Sequence, residues 1–271
     1  MISILGCGWY GLALGKALVE KGFDVKGSTT SQNRFTELDD AAIKPYTVKL
    51  DGETFIYDSA FFDCETLVVS FPPKVRQGQH EEYISKIQRL IPVIVQEGIE
   101  QVIFISSTGV YPESNAEVDE NVLPLPDSDS GKALFTAEEL LRQEPTFKTT
   151  IIRFGGLVGP GRHPGRFFAG KTDIANGQAP VNLIHLQDCI ATTLAILQQN
   201  AFGHTFNACS PHHPTRHDFY TKAATHASLP MPQFVDELGK WKVIGSVNLP
   251  TILNYQFIIN NWDDCFTANC F

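Results

Sequence analysis

Met1-Ile-Ser-Ile-Leu-Gly-Cys-Gly-Trp-Tyr-Gly-Leu-Ala-Leu-Gly-Lys-Ala-Leu-Val19 opens the chain and sets its fold. A short apolar strand, Met1 to Leu5, runs directly into Gly6-Cys7-Gly8-Trp9-Tyr10-Gly11, and a helical pattern follows from Leu12 to Val19. A GxGxxG is a weak signal by itself in a chain with 21 glycines. Between a strand and a helix it reads as a dinucleotide-binding turn. Gly6 allows the tight turn, Gly8 lets backbone approach a pyrophosphate, and Gly11 lets the helix pack closely on the strand. The helix N-terminus then offers N–H groups and the positive end of its dipole to the phosphates. Trp9 and Tyr10, inside the fingerprint, are counted with the three glycines as candidate cofactor-binding residues.

Strand and helix patterns alternate beyond this unit. Strands are expected at Phe23–Ser28, Tyr46–Leu50, Thr66–Ser70, Gln101–Ser106 and Thr149–Phe154. Helices are expected over His80–Gln96, where Pro92 predicts a kink or break, and over Lys132–Leu141. A further strand at Val181–Leu186, a helix at Asp188–Gln198 and a strand at Thr205–Cys209 follow a turn-rich loop, Gly159–Gly165. Thr215 is placed to cap the next helix. Alternation of this kind implies parallel βαβ units with right-handed crossovers. The expected fold class is α/β, a Rossmann doubly wound parallel sheet with a small C-terminal substrate lobe. Residues 1–159 would form the nucleotide-binding domain, its sheet completed by about 181–209; residues 160–180 and 210–271 would form the lobe.

Bulk properties narrow the function. The chain has 271 residues, 43% of them hydrophobic, enough for a substantial core. A net charge of −9 argues against general affinity for nucleic acid or anionic membrane. No apolar run reaches the roughly 20 residues of a membrane span, and the fingerprint strand leaves no room for a signal peptide. The six cysteines, at 7, 64, 189, 209, 265 and 270, form no CxxC and read as reduced thiols of a cytoplasmic protein. Cys265 and Cys270 lie near each other in a segment expected to be loose, close enough for an adventitious disulfide.

The end of the second strand chooses between the two nicotinamide dinucleotides. An acidic residue about 20 positions past the fingerprint would bond the ribose hydroxyls of NAD. Here Gly27-Ser-Thr-Thr-Ser-Gln-Asn-Arg34 contains no acid, and Asp24 lies at the strand's start. The hydroxyls of Ser28, Thr29 and Ser31, with Arg34, suit a 2′-phosphate through charge-assisted hydrogen bonds. NADP is therefore preferred to NAD; the competing reading makes Arg34 a solvated residue of the next helix.

Five segments occur in a familiar order: the fingerprint, Val68-Val-Ser-Phe-Pro-Pro73, Ile105-Ser-Ser-Thr-Gly-Val-Tyr-Pro112, Arg153-Phe-Gly-Gly-Leu-Val-Gly-Pro-Gly161 and Asn182-Leu-Ile-His-Leu-Gln-Asp188. Together they resemble the extended short-chain dehydrogenase/reductases, and within them an atypical bacterial branch of NAD-dependent epimerase/dehydratase-like proteins. The resemblance covers nearly the whole chain and is weakest after about residue 230. It implies that Asp51 approaches the adenine and that Phe71, Pro72, Pro73 and Ser106 border the cofactor. It also implies a catalytic Ser/Thr, Tyr and Lys, the lysine four residues after the tyrosine. A phenol of ordinary pKa about 10 needs an adjacent cation to exchange protons near neutrality.

Ser107 is the match for the catalytic hydroxyl, with Thr108 beside it; the alternative is that both hydroxyls bond backbone at a strand end. The tyrosine and lysine are missing. Ser130 and Leu134 occupy their places, and none of the seven tyrosines has a lysine four residues on.

Other constellations are weaker. His212-His-Pro-Thr-Arg-His217 lacks a cysteine or carboxylate pair at ligand spacing, so no metal site is expected. Arg153, Arg162, His163 and Arg166 surround the turn after the sixth strand and read either as a basic substrate pocket or as a solvated loop. His185 and Asp188 are expected to pin strand to helix. No GxSxG elbow supports a hydrolase.

The sequence thus reads as an NADP(H)-binding protein, an oxidoreductase or epimerase acting on a carbonyl or sugar-like small molecule. Ser107 and Thr108 would polarise the substrate oxygen, with the proton donor unassigned. The rival is a non-catalytic redox sensor or regulatory protein that kept the cofactor site. Either way the partner is a small molecule, not nucleic acid or membrane, and the chain is a monomer or homodimer.

Overall fold

Ile2–Leu5 and Thr66–Val69 are buried at every residue, the pattern of strands covered on both faces by helices. A computed structural model, describing residues 1–50, 55–73 and 80–271, shows how they are used. In chain order the elements are β1 (Ile2–Leu5), α1 (Trp9–Glu20), β2 (Val25–Thr29), α2 (Phe35–Asp39), β3 (Lys44–Thr47), β4 (Thr66–Val69), α3 (His80–Gln96) and β5 (Gln101–Ser107). They continue with β6 (Ala116–Val118), α4 (Asp129–Gln143), β7 (Lys148–Phe154), β8 (Gly156–Val158), β9 (Leu183–His185), α5 (Leu186–Gln198) and β10 (Thr205–Ala208). Then come α6 (Arg216–His226), β11 (Lys242–Ile244), α7 (Asn248–Ile252) and α8 (Trp262–Thr267).

One parallel sheet of seven strands has the order β10-β7-β5-β4-β1-β2-β3. Ile2 stands opposite Val25 on one side and Thr66 on the other. The chain therefore moves outward from β1 to β3, then returns to the opposite side of β1 with β4. Such a reversal opens a crevice at the carboxyl ends of the strands.

Several elements differ from the sequence expectation. The third strand begins and ends earlier than Tyr46–Leu50, because β2 stops at Thr29 and offers no ladder partner beyond Thr47. Lys49 instead pairs across an antiparallel bridge with Ile56. Pro92 does not break α3, which runs through it. Leu90 and Ile94, buried on either side of Pro92, hold the helix course against the lost hydrogen bond. The helix α4 starts three residues before Lys132, where Ser128 Oγ accepts from Gly131 N at 3.0 Å. Thr215 caps α6 as expected, accepting from Asp218 N at 3.0 Å.

Two compact units emerge, residues 1–106 with 128–152 and 193–205, and residues 107–127 with 153–192 and 206–271. In the first, α1 lies against the sheet at Gly15, where an added Cβ would meet Ile43 Cδ1 at 2.6 Å. The second holds two short parallel pairs, β6 with β11 and β8 with β9, and an aromatic core of Phe219, Tyr220, Trp262 and Phe266. The tail around Cys265 is not loose. Trp262 is fully buried, and its Nε1 donates to His212 O at 2.9 Å.

Asp188 is the polar centre of that packing. Its carboxylate accepts from Tyr255 Oη at 2.6 Å, Ile258 N at 2.7 Å and Ile259 N at 3.0 Å. It therefore fixes residues 255–259 rather than pinning β9 to α5. Burial and the neighbouring Asp188 charge push the Tyr255 phenol well above its ordinary range, so it stays a donor. Removing the carboxylate leaves two amides and a phenol without their acceptor, at about 1–3 kcal/mol each before relaxation. Asp188→Ala is expected to lower the unfolding free energy by about 3 kcal/mol in a urea titration; a loss under about 0.5 kcal/mol, the range of neutral surface changes, refutes the assignment.

Candidate functional site

The fingerprint turn is held by its own close contacts. Gly6 has φ +108°, and a Cβ there would stand 3.1 Å from Phe71 N. A Cβ on Gly11 would fall 2.3 Å from Gly6 O, so only hydrogen lets α1 begin so near β1. Both polar groups of Gly6 are taken by hydroxyls of neighbouring strands. Gly6 N donates to Ser28 Oγ at 2.9 Å, and Ser70 Oγ donates to Gly6 O at 2.7 Å. Gly8 is different: nothing lies within 4 Å of its Cβ position, and no side chain caps α1. The turn is rigid on its inner side and open on its outer side.

A cleft of ≈ 440 Å³ spreads from this turn, within the range of small-molecule sites. Gly6, Cys7 and Gly8 form its floor; Ser28 to Ser31 and Arg34 form one wall, and Ser70, Phe71 and Pro72 another. The Arg34 guanidinium bridges two parts of it. Nη1 donates to Cys7 O at 2.8 Å, while Nε and Nη2 reach Glu37 Oε2 at 2.9 and 2.6 Å. Arg34 is thus tied to the turn through one nitrogen while its side chain stays 38% exposed. Thr29 Oγ1 is occupied locally, accepting from Ser31 N at 3.3 Å. Burial pushes the Cys7 thiol up to about 12, which leaves it an inert neutral side chain.

Besides Leu5, Cys7, Thr30, Val48, Leu50 and Ser70, which also line the cleft and are not among the sequence candidates, α3 contributes three wall residues that escape a reading of the sequence: Glu82, Tyr83 and Lys86. Glu82 and Lys86 pair at 2.8 Å. Tyr83 is buried, packs edge-on against Phe71 with ring centroids 5.5 Å apart, and burial with the nearby Glu138 charge raises its phenol far above the ordinary range. Helical spacing at 82, 83 and 86 signals only an amphipathic helix; which end of it meets a cleft depends on the crossover from β4.

The remaining candidates lie elsewhere. Trp9, Tyr10, Gly11, Pro73 and Ser106 do not line the cleft. Tyr10 faces inward, its hydroxyl 2.7 Å from Thr193 Oγ1. Ser106 Oγ donates to the buried Glu138 carboxylate at 2.5 Å. Asp51 lies outside the described residues. Ser107 Oγ accepts from Gly109 N at 3.1 Å, the backbone-capping role, and Thr108 is buried. Ser130 sits in the first turn of α4 and Leu134 is buried one turn later.

Nor does the second unit supply the missing pair in an accessible form. Arg153 Nη1 donates to Tyr111 Oη at 2.6 Å, and that phenol donates to Asn207 Oδ1 at 3.0 Å. This phenol and cation, 42 positions apart, form a contact that no local spacing announces. Both are buried, and desolvation outweighs the guanidinium, so the Tyr111 phenol is held above its ordinary range. Asn207 continues the brace through Glu120, which accepts from Asn207 N at 2.8 Å. Arg153 is therefore a core strut, not part of a basic loop. His163 Nε2 lies 3.1 Å from His226 Nδ1. His212, His213 and His217 turn to separate partners, Trp262 N, Val181 O and Asp218.

No helix among the described residues is long and apolar enough to cross a membrane. No protein-family model matches the chain. It is 36% identical to protein YeeZ of Escherichia coli strain K12 over 263 residues, covering 94% of this chain and 95% of YeeZ. Its fold is similar to that of a UDP-glucuronic acid 4-epimerase from Bacillus cereus, solved in complex with UDP-glucuronic acid and NAD, at a TM-score of 0.81 and 18% identity over 98% of this chain and 96% of that one. A putative NAD-dependent epimerase/dehydratase from Methylobacillus flagellatus is similar at a TM-score of 0.73 and 22% identity, over 98% and 96% of the two chains. The chain belongs to the family of YeeZ.

Proposed function

We propose that this protein binds NADP(H) in the cleft at the glycine turn and acts as an oxidoreductase or epimerase on a carbonyl or sugar-like small molecule. The anchored Arg34 carries the reading. Its guanidinium stands over the turn between Cys7 O and Glu37, at the end of a strand that bears hydroxyls and no acid. Gly8, open on its outer side, and the uncapped start of α1 would receive the pyrophosphate. Arg34, with the outward-facing Ser31 and Thr30, would hold the 2′-phosphate. Val48, Leu50, Phe71 and Pro72 give the cleft an apolar surface for the adenosine. Once bound, the nicotinamide supplies a hydride donor or acceptor, and the protein supplies orientation and electrostatics. Ser107 and Thr108 would polarise the substrate oxygen.

A specific observation favours the second reading, a cofactor-binding sensor without turnover. Ser130 and Leu134 stand where the acid/base tyrosine and its lysine belong, and the Ser107 hydroxyl is engaged by Gly109 N. A substrate panel followed by nicotinamide absorbance separates the two. Turnover that falls at least about tenfold in Ser107→Ala, the scale of one lost charge-stabilising hydrogen bond, supports the enzyme; tight cofactor binding with no turnover across the panel supports the sensor.

Isothermal titration tests the cofactor preference. Wild type is expected to bind NADP more tightly than NAD. Arg34→Ala should weaken NADP by roughly 10- to 100-fold, the worth of a charge-assisted pair, while leaving NAD nearly unchanged. Equal or tighter NAD binding by wild type sinks the preference. Glu37 competes with the 2′-phosphate for the same guanidinium, so Glu37→Gln should tighten NADP by a few-fold, the scale of an exposed ion pair. A Glu37→Gln protein with weakened NADP binding would show that Glu37 positions Arg34 rather than competing for it.

A further inference from the structure

The end of α8 is a Schellman turn with a cysteine at each of its two contact positions. Asn269 has φ 55° and ends the helix in the left-handed conformation. Cys270 N donates to Cys265 O at 3.1 Å and Asn269 N donates to Phe266 O at 3.2 Å. These are the 6→1 and 5→2 bonds of that motif. They make Cys265 the third residue from the helix end and Cys270 the second residue beyond it, the positions whose side chains ordinarily meet in an apolar contact. Here the contact is between two thiols, both free.

The surroundings hold this geometry without help from a sulfur bond. Cys265 is buried in the aromatic core with Phe219, Trp262 and Phe266, and Cys270 packs against the same cluster. Cys270 O lies 3.1 Å from His185 Nε2. Phe271 closes the segment, its ring 5.0 Å from Phe266 and 5.2 Å from His163. Cys270 is the more exposed of the pair. Burial and the adjacent Cys270 raise the Cys265 thiol well above its ordinary range.

We propose that Cys265 and Cys270 form a redox-responsive site that small-molecule disulfides convert to an intrachain disulfide in the folded protein. Cys270, as thiolate, attacks one sulfur of the small disulfide, which becomes a mixed disulfide while the other sulfur leaves as thiolate. Cys265 gives its proton to solvent, and its sulfur attacks the Cys270 sulfur, expelling the second small thiolate. Two protein thiols and one small disulfide thus yield one protein disulfide and two small thiols, with two electrons passing from protein to oxidant. The first step falls to Cys270 because it is accessible. The second is slowed by the raised Cys265 thiol and speeds up as pH rises, since only the thiolate attacks.

The experiment uses the whole chain, folded by circular dichroism, incubated with oxidised glutathione, then alkylated and mapped by mass spectrometry. The expected product has lost two hydrogen atoms and two alkylation sites, yields a linked peptide joining Cys265 to Cys270, and reverts with dithiothreitol. Cys265→Ser should stop at a glutathione adduct on Cys270. The proposal is overturned if wild type also stops at that adduct, if the linked cysteines are others, or if the link forms only in denaturant. Because the link is mapped in wild type, the test holds even if a variant fails to fold.

Discussion

The hydrogen atom on Gly11 that faces Gly6 O is the constraint on which the first unit's glycine turn depends. A methyl group in its place would lie 2.3 Å from that oxygen, so α1 could not begin where it does. The same carbonyl receives Ser70 Oγ, and the same residue's N–H goes to Ser28 Oγ. Three strands thereby converge on one residue, Gly6: β1 by continuity, β2 through Ser28, and the end of β4 through Ser70. What faces solvent is Gly8, with open space around its Cβ position. Rigidity on one side and room on the other are what an anion site at a helix start requires.

Arg34 extends that logic to the neighbouring wall. An arginine in a loop after a strand is ordinarily a long, mobile cation. Here one nitrogen is tied to Cys7 O and two to Glu37, so its charge is placed before any ligand arrives. Preorganisation of this kind lowers the ordering cost of binding. Glu37 also neutralises part of the charge it positions.

The second unit is organised by buried polar groups rather than by a sheet. Asp188 gathers Tyr255, Ile258 and Ile259. Tyr111, Arg153, Asn207 and Glu120 form a continuous brace. Each joins positions far apart in sequence and satisfies groups that would be expensive to bury alone. The phenol of Tyr111, with a cation at hydrogen-bond distance, is sealed from solvent, so its resemblance to an activated tyrosine is one of composition only.

The alternation of strands and helices, the parallel sheet, the glycine turn, the Thr215 cap and the lack of a tyrosine–lysine pair were all legible in the chain of residues. These follow from local rules: burial on both faces of a strand, steric room at glycine, and residue spacing along one helix. The pairing length of β3, the unbroken helix through Pro92, and the contribution of Glu82, Tyr83 and Lys86 to the cleft came only with the folded molecule. Each depends on a neighbour brought in from another part of the chain. The same holds for the hydroxyls of Ser28, Ser106 and Ser107. Their residue types suggested ligand binding, but a hydroxyl bonds whichever partner the fold sets within reach. For these three that partner is Gly6 N, Glu138 and Gly109 N, and only the folded chain places them there.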